Sequence, residues 1–321
     1  MPWLAGQSVR VSVPASSANL GPGFDSVGIG LEIRDECRLT VLPEPGLVVE
    51  VSGEGAAAVP RDERHLVVRS LRRAWEVLGV DPPAGVHLVC HNRVPHGRGL
   101  GSSATAIVTG LSAAYGLLAL ARTGAADVDL NAVNDLAAAL EGHPDNSSAS
   151  VFGGITLSWP DDGGTGAAVP GTRTLRLVPH PAIRAYTLVP EQQLSTATAR
   201  AVLPPTVHLA DAAANSARVG LLVHAVTVAP ELLLPATRDY LHQEPRRPAY
   251  AESMAILDRM RAAGHAATIS GAGPSVLVLT ATEFGATETA ALPTGWWARE
   301  VAIAADGVRV SGHVVAGQLS S

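Results

Sequence analysis

Residues 95–107, Pro-His-Gly-Arg-Gly-Leu-Gly-Ser-Ser-Ala-Thr-Ala-Ile, constrain the chain more than any other stretch. Gly97, Gly99 and Gly101 alternate, and Ser102-Ser103-Ala104 opens a long helical run without charge. Glycines let the backbone turn tightly and carry its N–H groups close to a ligand. A helix that begins directly after them adds unpaired donors and the positive end of a dipole. Val86 to Cys90 reads as a strand, so strand, glycine loop and helix follow in the order an anion cradle requires. Phosphate is the usual occupant of such a cradle. The bland alternative is a glycine turn before a core helix, and glycines alone do not separate the two.

The absence of lysine narrows the choice. All 23 basic residues are arginine. A Walker-A loop needs Lys before its Ser or Thr, and a protein kinase needs its strand Lys. Both are excluded, as is Schiff-base chemistry. A nucleotide here must be held by backbone amides, hydroxyls, Mg²⁺ and arginine. The net charge of −6 advertises no nucleic-acid surface. Cys37 and Cys90, the only cysteines, offer neither a zinc cluster nor a disulfide framework, which fits a reducing cytoplasm. The N-terminal residues lack the basic and apolar regions of a signal peptide.

Gly99 to Ala121 carries no charge for 23 residues, long enough to span a bilayer. It also holds Ser102, Ser103, Thr105, Thr109, Ser112, Tyr115 and four glycines, and nothing else resembles a second span. A helix buried on all sides explains the same pattern, so no membrane partner is expected.

Val9 to Pro14 reads as a strand, followed by a small-residue loop that carries Asn19 and Asp25. Binding residues favour such loops. Cys37–Leu42 and Leu47–Val51 read as a strand pair joined by Pro43-Glu-Pro-Gly46, and His65–Leu78 has helical spacing. A helix over Leu130–Leu140, with Asp129 as N-cap, runs into Glu141-Gly-His-Pro-Asp-Asn146. A C-cap at Gly142 and a stop at Pro144 explain two of those residues. They leave Glu141, His143, Asp145 and Asn146 without a structural reason. Val151–Leu157 reads as a strand, and residues 160–166 as a hinge. Beyond it lie a strand over Ala185–Pro190, a capped helix start at Ser195–Arg200 and an apolar helix over Asp211–Val228. Next come a polar, basic stretch at Arg238–Arg247 and a helix over Glu252–Ala263. Thr268–Leu279 is a glycine turn entering an apolar strand.

Pro14–Leu31, Pro95–Ile107 and Thr268–Leu279 together resemble the GHMP kinases, named for galacto-, homoserine, mevalonate and phosphomevalonate kinases. The middle segment matches the family's Pro-x-x-x-Gly-Leu-Gly-Ser-Ser-Ala signature. Ala15–Asp25, Glu141–Asn146 and Leu241-His-Gln243 look like the homoserine kinase branch. The resemblance implies a two-domain α+β fold. Residues 1–160 would form an ATP-binding domain like the second domain of ribosomal protein S5, with a left-handed βαβ crossover. Residues 161–321 would form a ferredoxin-like α/β sandwich.

The implied reaction is ATP + L-homoserine giving O-phospho-L-homoserine, a step toward threonine, in the cytoplasm, with a homodimer admitted. Pro95, His96, Gly97, Arg98, Gly99, Leu100, Gly101, Ser102, Ser103, Ala104 and Thr105 would wrap the triphosphate. Ser103 and Glu141 would hold Mg²⁺, an oxygen-only pairing that suits a hard cation. Asn19, Asp25, His143, Asp145, Asn146, Thr196, Arg200 and Arg246 would line the homoserine site, with Asn19, Asn146 and Arg200 closest to the chemistry. Residues 271–275 would buttress the phosphate loop.

The chemistry agrees with that assignment. A zwitterionic amino acid needs a carboxylate for its ammonium, and Asp25 offers one. It needs cations for its carboxylate, and Arg200 and Arg246 offer forks for bidentate pairing. Arg247 follows directly, but spacing from Gln243 favours Arg246. His65 stands where the family usually has Asn near the adenine, and His96 replaces an apolar residue. The alternatives are another kinase of the family, such as a mevalonate type, or a nucleotide-binding regulator without catalysis. Mevalonate has no ammonium for Asp25, and a regulator need not keep Ser103, Glu141 and the loop glycines.

Overall fold

The computed structural model describes residues 3–161, 171–194, 196–290 and 292–313. Val9, Val11 and Val13 alternate inward along β1 (Ser8–Ala18), and from Val13 onward the strand is buried on both faces. Small side chains in Ala15-Ser-Ser-Ala18 let a second layer close over it. β1 pairs antiparallel with the long β2 (Val27–Val41), and the register shifts between Pro14 and Ala15.

The expected pairing across Pro43–Gly46 does not form. β4 (Gly85–Asn92) lies between its two strands, antiparallel to β2 and parallel to β3 (Gly46–Gly53). β3 is mostly exposed and suits a sheet edge, whereas Val86, Leu88 and Cys90 give β4 an inward face. A parallel neighbour needs a crossover, and α1 (Leu66–Leu78) supplies it. α1 packs its Val67, Val68, Leu71, Ala74 and Trp75 face into the core shared with α2 (Ser102–Thr123). α2 is the one described helix long and apolar enough to cross a membrane, yet most of it is buried in the protein. That explains its uniform apolarity without a bilayer.

Asp129 caps α3 (Leu130–Glu141) by accepting from Asn131 N and Ala132 N, and Gly142 ends it in the left-handed conformation. Pro144 then starts a helix rather than only stopping one. At the first helical position its missing N–H costs nothing, and α4 (Pro144–Phe152) follows. Val151 and Phe152 therefore end a helix, and the strand expected there begins later, at β5 (Ile155–Pro160), after two positive-φ glycines.

The hinge expected over 160–166 falls largely outside the described residues. A cut at 160/161 leaves β6 (Thr172–Leu177) and β11 (Arg309–His313) on the C-terminal side. Both are nonetheless hydrogen-bonded into the first sheet, β6 on β5 and β11 on β1. Among the described residues that sheet has seven strands, in the order β11-β1-β2-β4-β3 with β5 and β6 branching from β2.

The second sheet is built from β7 (Arg184–Pro190) and three later strands. Between them come α5 (Thr196–Ala201), α6 (Leu209–Thr227), α7 (Leu233–Ala236), α8 (Gln243–Arg246) and α9 (Ala251–Ala262). β8 (Ala266–Ile269), β9 (Val276–Thr280), α10 (Ala286–Ala290) and β10 (Trp296–Val301) complete the half. The antiparallel order β10-β7-β9-β8 places the fourth strand beside the first and the third beside the second, the ferredoxin-like arrangement. One core joins the halves: Leu20, Ile29, Leu31 and Leu100 pack with Val189, Leu222, Val226, Leu277 and Leu279. The loop after β1 and the loop before α2 both end in that core.

Candidate active site

The loop between β4 and α2 is left-handed at Gly97, Gly99 and Gly101, with φ of 66°, 75° and 72°. Gly101 is the N-cap of α2, and no side chain caps the helix. The first-turn N–H groups are thus left for an anion. Space excludes a larger residue as firmly as φ does. A Cβ on Gly99 would fall 2.2 Å from the Ser270 carbonyl oxygen, and one on Gly101 would fall 2.1 Å from Ser16 Oγ. The turn after β8 presses against the loop. Ser270 Oγ lies 2.6 Å from Gly99 O, to which it donates, and 2.7 Å from Ser17 Oγ.

The loop after β1 carries the next group. Asn19, Leu20 and Asp25 have φ of 73°, 45° and 56°. Asn and Asp tolerate that region; a leucine does so only when its surroundings hold it there. Leu20 is fully buried. The Asn19 carboxamide fastens the loop at both ends, with Oδ1 accepting from Asp25 N at 3.1 Å and Nδ2 donating to Gly271 O at 3.1 Å. Asp25 is thereby aimed at α5, where Arg200 grips both its carboxylate oxygens at 2.6 and 3.2 Å.

Arg246 enters from α8. Asp239 starts that helix by accepting from the N–H groups of Leu241, His242 and Gln243. Arg246 is 2% exposed, with Nε donating to Ala199 O at 2.9 Å and Nη1 to His242 Nδ1 at 3.1 Å. His242 Nε2 meets Gly21 O at 2.8 Å, which makes Nε2 the protonated nitrogen and Nδ1 the acceptor. Burial lowers the pKa of His242, in keeping with a neutral ring. Burial also pulls the Arg246 pKa below the ordinary arginine value, though a guanidinium keeps its proton in proteins. Phe24 lies under both guanidiniums, 5.5 Å from each, and stacks on His242.

The start of α4 brings the remaining polar groups. His143 Nδ1 and Asp145 Oδ1 are 2.6 Å apart, and Asp145 Oδ1 also accepts from Asn146 N. Burial opposes charge on His143, but the bond to Asp145 and the charges of Asp145, Glu141 and Asp25 outweigh it and raise its pKa. Asn146 Oδ1 accepts from Ser16 Oγ at 3.1 Å. Glu141, at the end of α3, accepts from Ser103 Oγ at 3.4 Å. Burial raises the Glu141 pKa, and Asp145 adds to the effect, while His143 and Ser103 oppose it.

These groups converge. Asn19, Asp25, Gly97, Gly99, Gly101, Ser102, Ser103, Glu141, His143, Asp145, Asn146, Arg200 and Arg246 line one cleft, with Phe24 and Gly271. A neighbouring cavity of about 330 Å³ shares Gly97, Ser102 and Ser103, and extends past His96 to His65, Asp35, Val59 and Ala106. The pair of spaces suits a ligand with an anionic middle and an apolar end.

The family model "GHMP kinases N terminal domain" matches residues 65–154, and "GHMP kinases C terminal" matches 227–291. The homoserine kinase of Streptomyces avermitilis is 48% identical over 310 residues, 96% of this chain and 97% of that protein. The chain belongs to the GHMP kinases. The homoserine kinase of Rhodococcus erythropolis is 46% identical over 309 residues, 95% of this chain and 96% of that one. The crystal structure of homoserine kinase from Cytophaga hutchinsonii superposes with a TM-score of 0.78 at 24% identity, covering 94% and 97% of the two chains.

Within this GHMP kinase, some residues of the signature serve the scaffold. Leu100 is buried in the joining core, its carbonyl accepting from Ser16 N, and Thr105 Oγ1 bonds back to Gly101 O. Pro95 and Ala104 are buried, and His96 lines the neighbouring cavity. Arg98 turns its guanidinium to the carbonyls of Pro190, Glu191 and His96. Arg247 points outward to Glu244 and Asp258. The side chain of Thr196 lies outside the described residues. Reading the sequence missed Phe24, Ser16, Ser270, Asp239 and His242 as working parts. Phe24 could have been suspected, as an aromatic beside Asp25 in a loop otherwise made of small residues.

Proposed function

We propose that the cleft transfers the γ-phosphoryl group of ATP to the side-chain hydroxyl of L-homoserine, giving O-phospho-L-homoserine. One observation carries the reading: a carboxylate, Asp25, and two guanidiniums, Arg200 and Arg246, share a cleft with a backbone phosphate cradle. That is a zwitterion site beside an anion site. Relatives spanning nearly the full chain bear the name homoserine kinase.

Phosphoryl transfer asks mainly for positioning and charge stabilisation. In this reading the amides of residues 97–104 hold the phosphates, and the cavity past His65 takes the base. Arg200 and Arg246 take the substrate carboxylate, and Asp25, backed by the His143–Asp145 pair, takes its ammonium. Asn146 Nδ2 makes no hydrogen bond within the described residues and is free to meet the hydroxyl. Asn19, with both ends of its amide engaged, holds the loop rather than the substrate.

Ser103 and Glu141 fit Mg²⁺. Both offer hard oxygen donors, and among the described residues Glu141 makes no ion pair although burial has raised its pKa. When bound, the cation would offset charge on the phosphates. Asp25, His143 and Asp145 also bring donor atoms within 4.8 Å of one another. A histidine among them, and the Arg200 pair on Asp25, make that cluster poorer for a hard cation. Two buried, unbridged cysteines suit work in the reducing cytoplasm.

The test is ADP release measured over homoserine, serine, threonine and mevalonate. Homoserine should drive turnover far better than mevalonate, which lacks the ammonium that Asp25 would hold. Equal rates with mevalonate would refute the assignment.

A further inference from the structure

We propose that Arg98 is a positioning residue that couples nucleotide binding to amino-acid binding, by tying the phosphate loop to the segment that carries Arg200. The inference rests on the functional reading above, that the cleft takes ATP and homoserine together.

Arg98 sits between two cradle glycines, yet its side chain leaves the cradle. Nε donates to Pro190 O at 2.8 Å and Nη2 to Glu191 O at 2.8 Å, while Nη1 reaches His96 O at 3.2 Å. The carbonyls of Pro190 and Glu191 close the end of β7. Leu194 N donates in the opposite sense to Gly97 O at 2.9 Å. Residues 190–194 are therefore held to residues 97–98 at both ends of a five-residue span.

One residue separates that span from α5 in the chain. Arg200 on α5 grips Asp25, and the carbonyl of Ala199 receives Arg246 Nε. Both proposed carboxylate ligands thus meet at α5, whose approach is fastened to the phosphate loop. On its other side the loop is backed by the turn that follows β8. A phosphate that fixes the amides of residues 97–101 fixes the backbone from which Arg98 extends. Arg98 passes that order to 190–194 and so to α5. A site ordered in advance binds its ligand with less entropic loss, and coupling of this kind acts equally in both directions. The guanidinium fork is needed because two successive carbonyls must be met at once. An ammonium cannot reproduce that geometry.

The full chain is titrated calorimetrically with homoserine, alone and with a saturating non-hydrolysable ATP analogue and Mg²⁺. Wild type, Arg98→Met and Arg98→Lys are compared. In wild type the analogue should tighten homoserine by about 5- to 150-fold, and the reverse titration should give the same factor. In Arg98→Met that factor should fall below about twofold. In Arg98→Lys, which keeps stem and charge and guards against a Met variant that does not fold, it should fall at least about threefold. The ratio is the readout, because a merely structural role would shift the separate affinities and leave the ratio in place. A wild-type factor near one, or variants that keep the wild-type factor, overturns the proposal alone. A wild-type chain that binds the analogue but no homoserine overturns the functional reading, and the proposal with it.

Discussion

Replacing Arg246 and its neighbour Arg247 in turn separates substrate recognition from surface charge. Arg246 is 2% exposed, faces the cleft, and makes no ion pair with a carboxylate among the described residues. A hydrogen bond to a charged group contributes about 1.5–3 kcal/mol, and each 1.36 kcal/mol is about tenfold in rate. Arg246→Ala should therefore lower kcat/KM for homoserine about 10- to 150-fold. The same change strands Ala199 O and His242 Nδ1, at roughly 1–3 kcal/mol of stability for each buried group left without a partner. Assays must run well below the lowered melting midpoint. Arg246→Lys should rescue little, because it keeps the charge and loses the fork. Arg247 instead holds Glu244 and Asp258 at the surface. Exposed pairs contribute about 0–1 kcal/mol, so Arg247→Ala should leave kcat/KM within about twofold. The measurement is steady-state ADP release with homoserine varied at saturating ATP, alongside nucleotide affinity without homoserine. A more severe effect of Arg247→Ala would refute the role given to Arg246, as would an Arg246→Ala variant that binds nucleotide weakly and spares homoserine.

Glu141→Ala should cut turnover by about a hundredfold or more, as expected for loss of a ligand to a charge-stabilising cation. Burial disfavours the Glu141 charge in the fold, so the variant should melt no lower than wild type, and Mg²⁺ with nucleotide should stabilise it less. Phe24→Leu removes the ring under both guanidiniums. At about 0.5–2 kcal/mol for each of the two cation–π contacts and about tenfold per 1.36 kcal/mol, KM for homoserine should rise about fivefold to several-hundredfold while nucleotide affinity holds. Burial raises the Asp35 pKa above 3.8 despite bonds from Val94 N and Arg93 N. The folded state then binds this proton more tightly than the unfolded one, so its contribution to stability falls as pH climbs from the unfolded value through the folded one. Asp35→Asn should remove that decline, and unchanged melting curves between pH 3.5 and 7 would count against it.

The cradle was legible because its demands are local. A loop that must be left-handed at alternate positions and approach within contact distance of Ser270 O admits only glycine at Gly99, so geometry is written directly in residue type. The unexplained polar set at the end of α3 was legible by elimination, since a C-cap accounts for Gly142 and leaves Glu141 and His143 over. Strand partners were not legible. Pro43–Gly46 looks like a hairpin turn, and only the distant Val86–Cys90 run, with a helix in between, claims the place beside β2. Local turn chemistry loses there to the burial that a central strand gains.

Side-chain direction was the other hidden quantity. Arg98 stands in the signature between two cradle glycines, and position alone would send it to the phosphates. Yet Gly97 at φ 66° and Gly99 at φ 75° turn the chain on either side of it, and its guanidinium emerges against the carbonyls that end β7. Those carbonyls belong to residues more than ninety positions later, at the end of a strand that must pair with β9 and β10 before they exist as acceptors. The same holds for Arg246, whose neighbour Arg247 differs from it in sequence by one step and in environment completely. A four-residue helix, whose first N–H at Gln243 donates to the Asp239 carboxylate, sends one inward and the other to the surface. Residue type limits what a side chain can do, but which of two adjacent arginines faces the cleft is decided by the turn that orients them. The cleft therefore depends on Asp239 as directly as on the charges it displays.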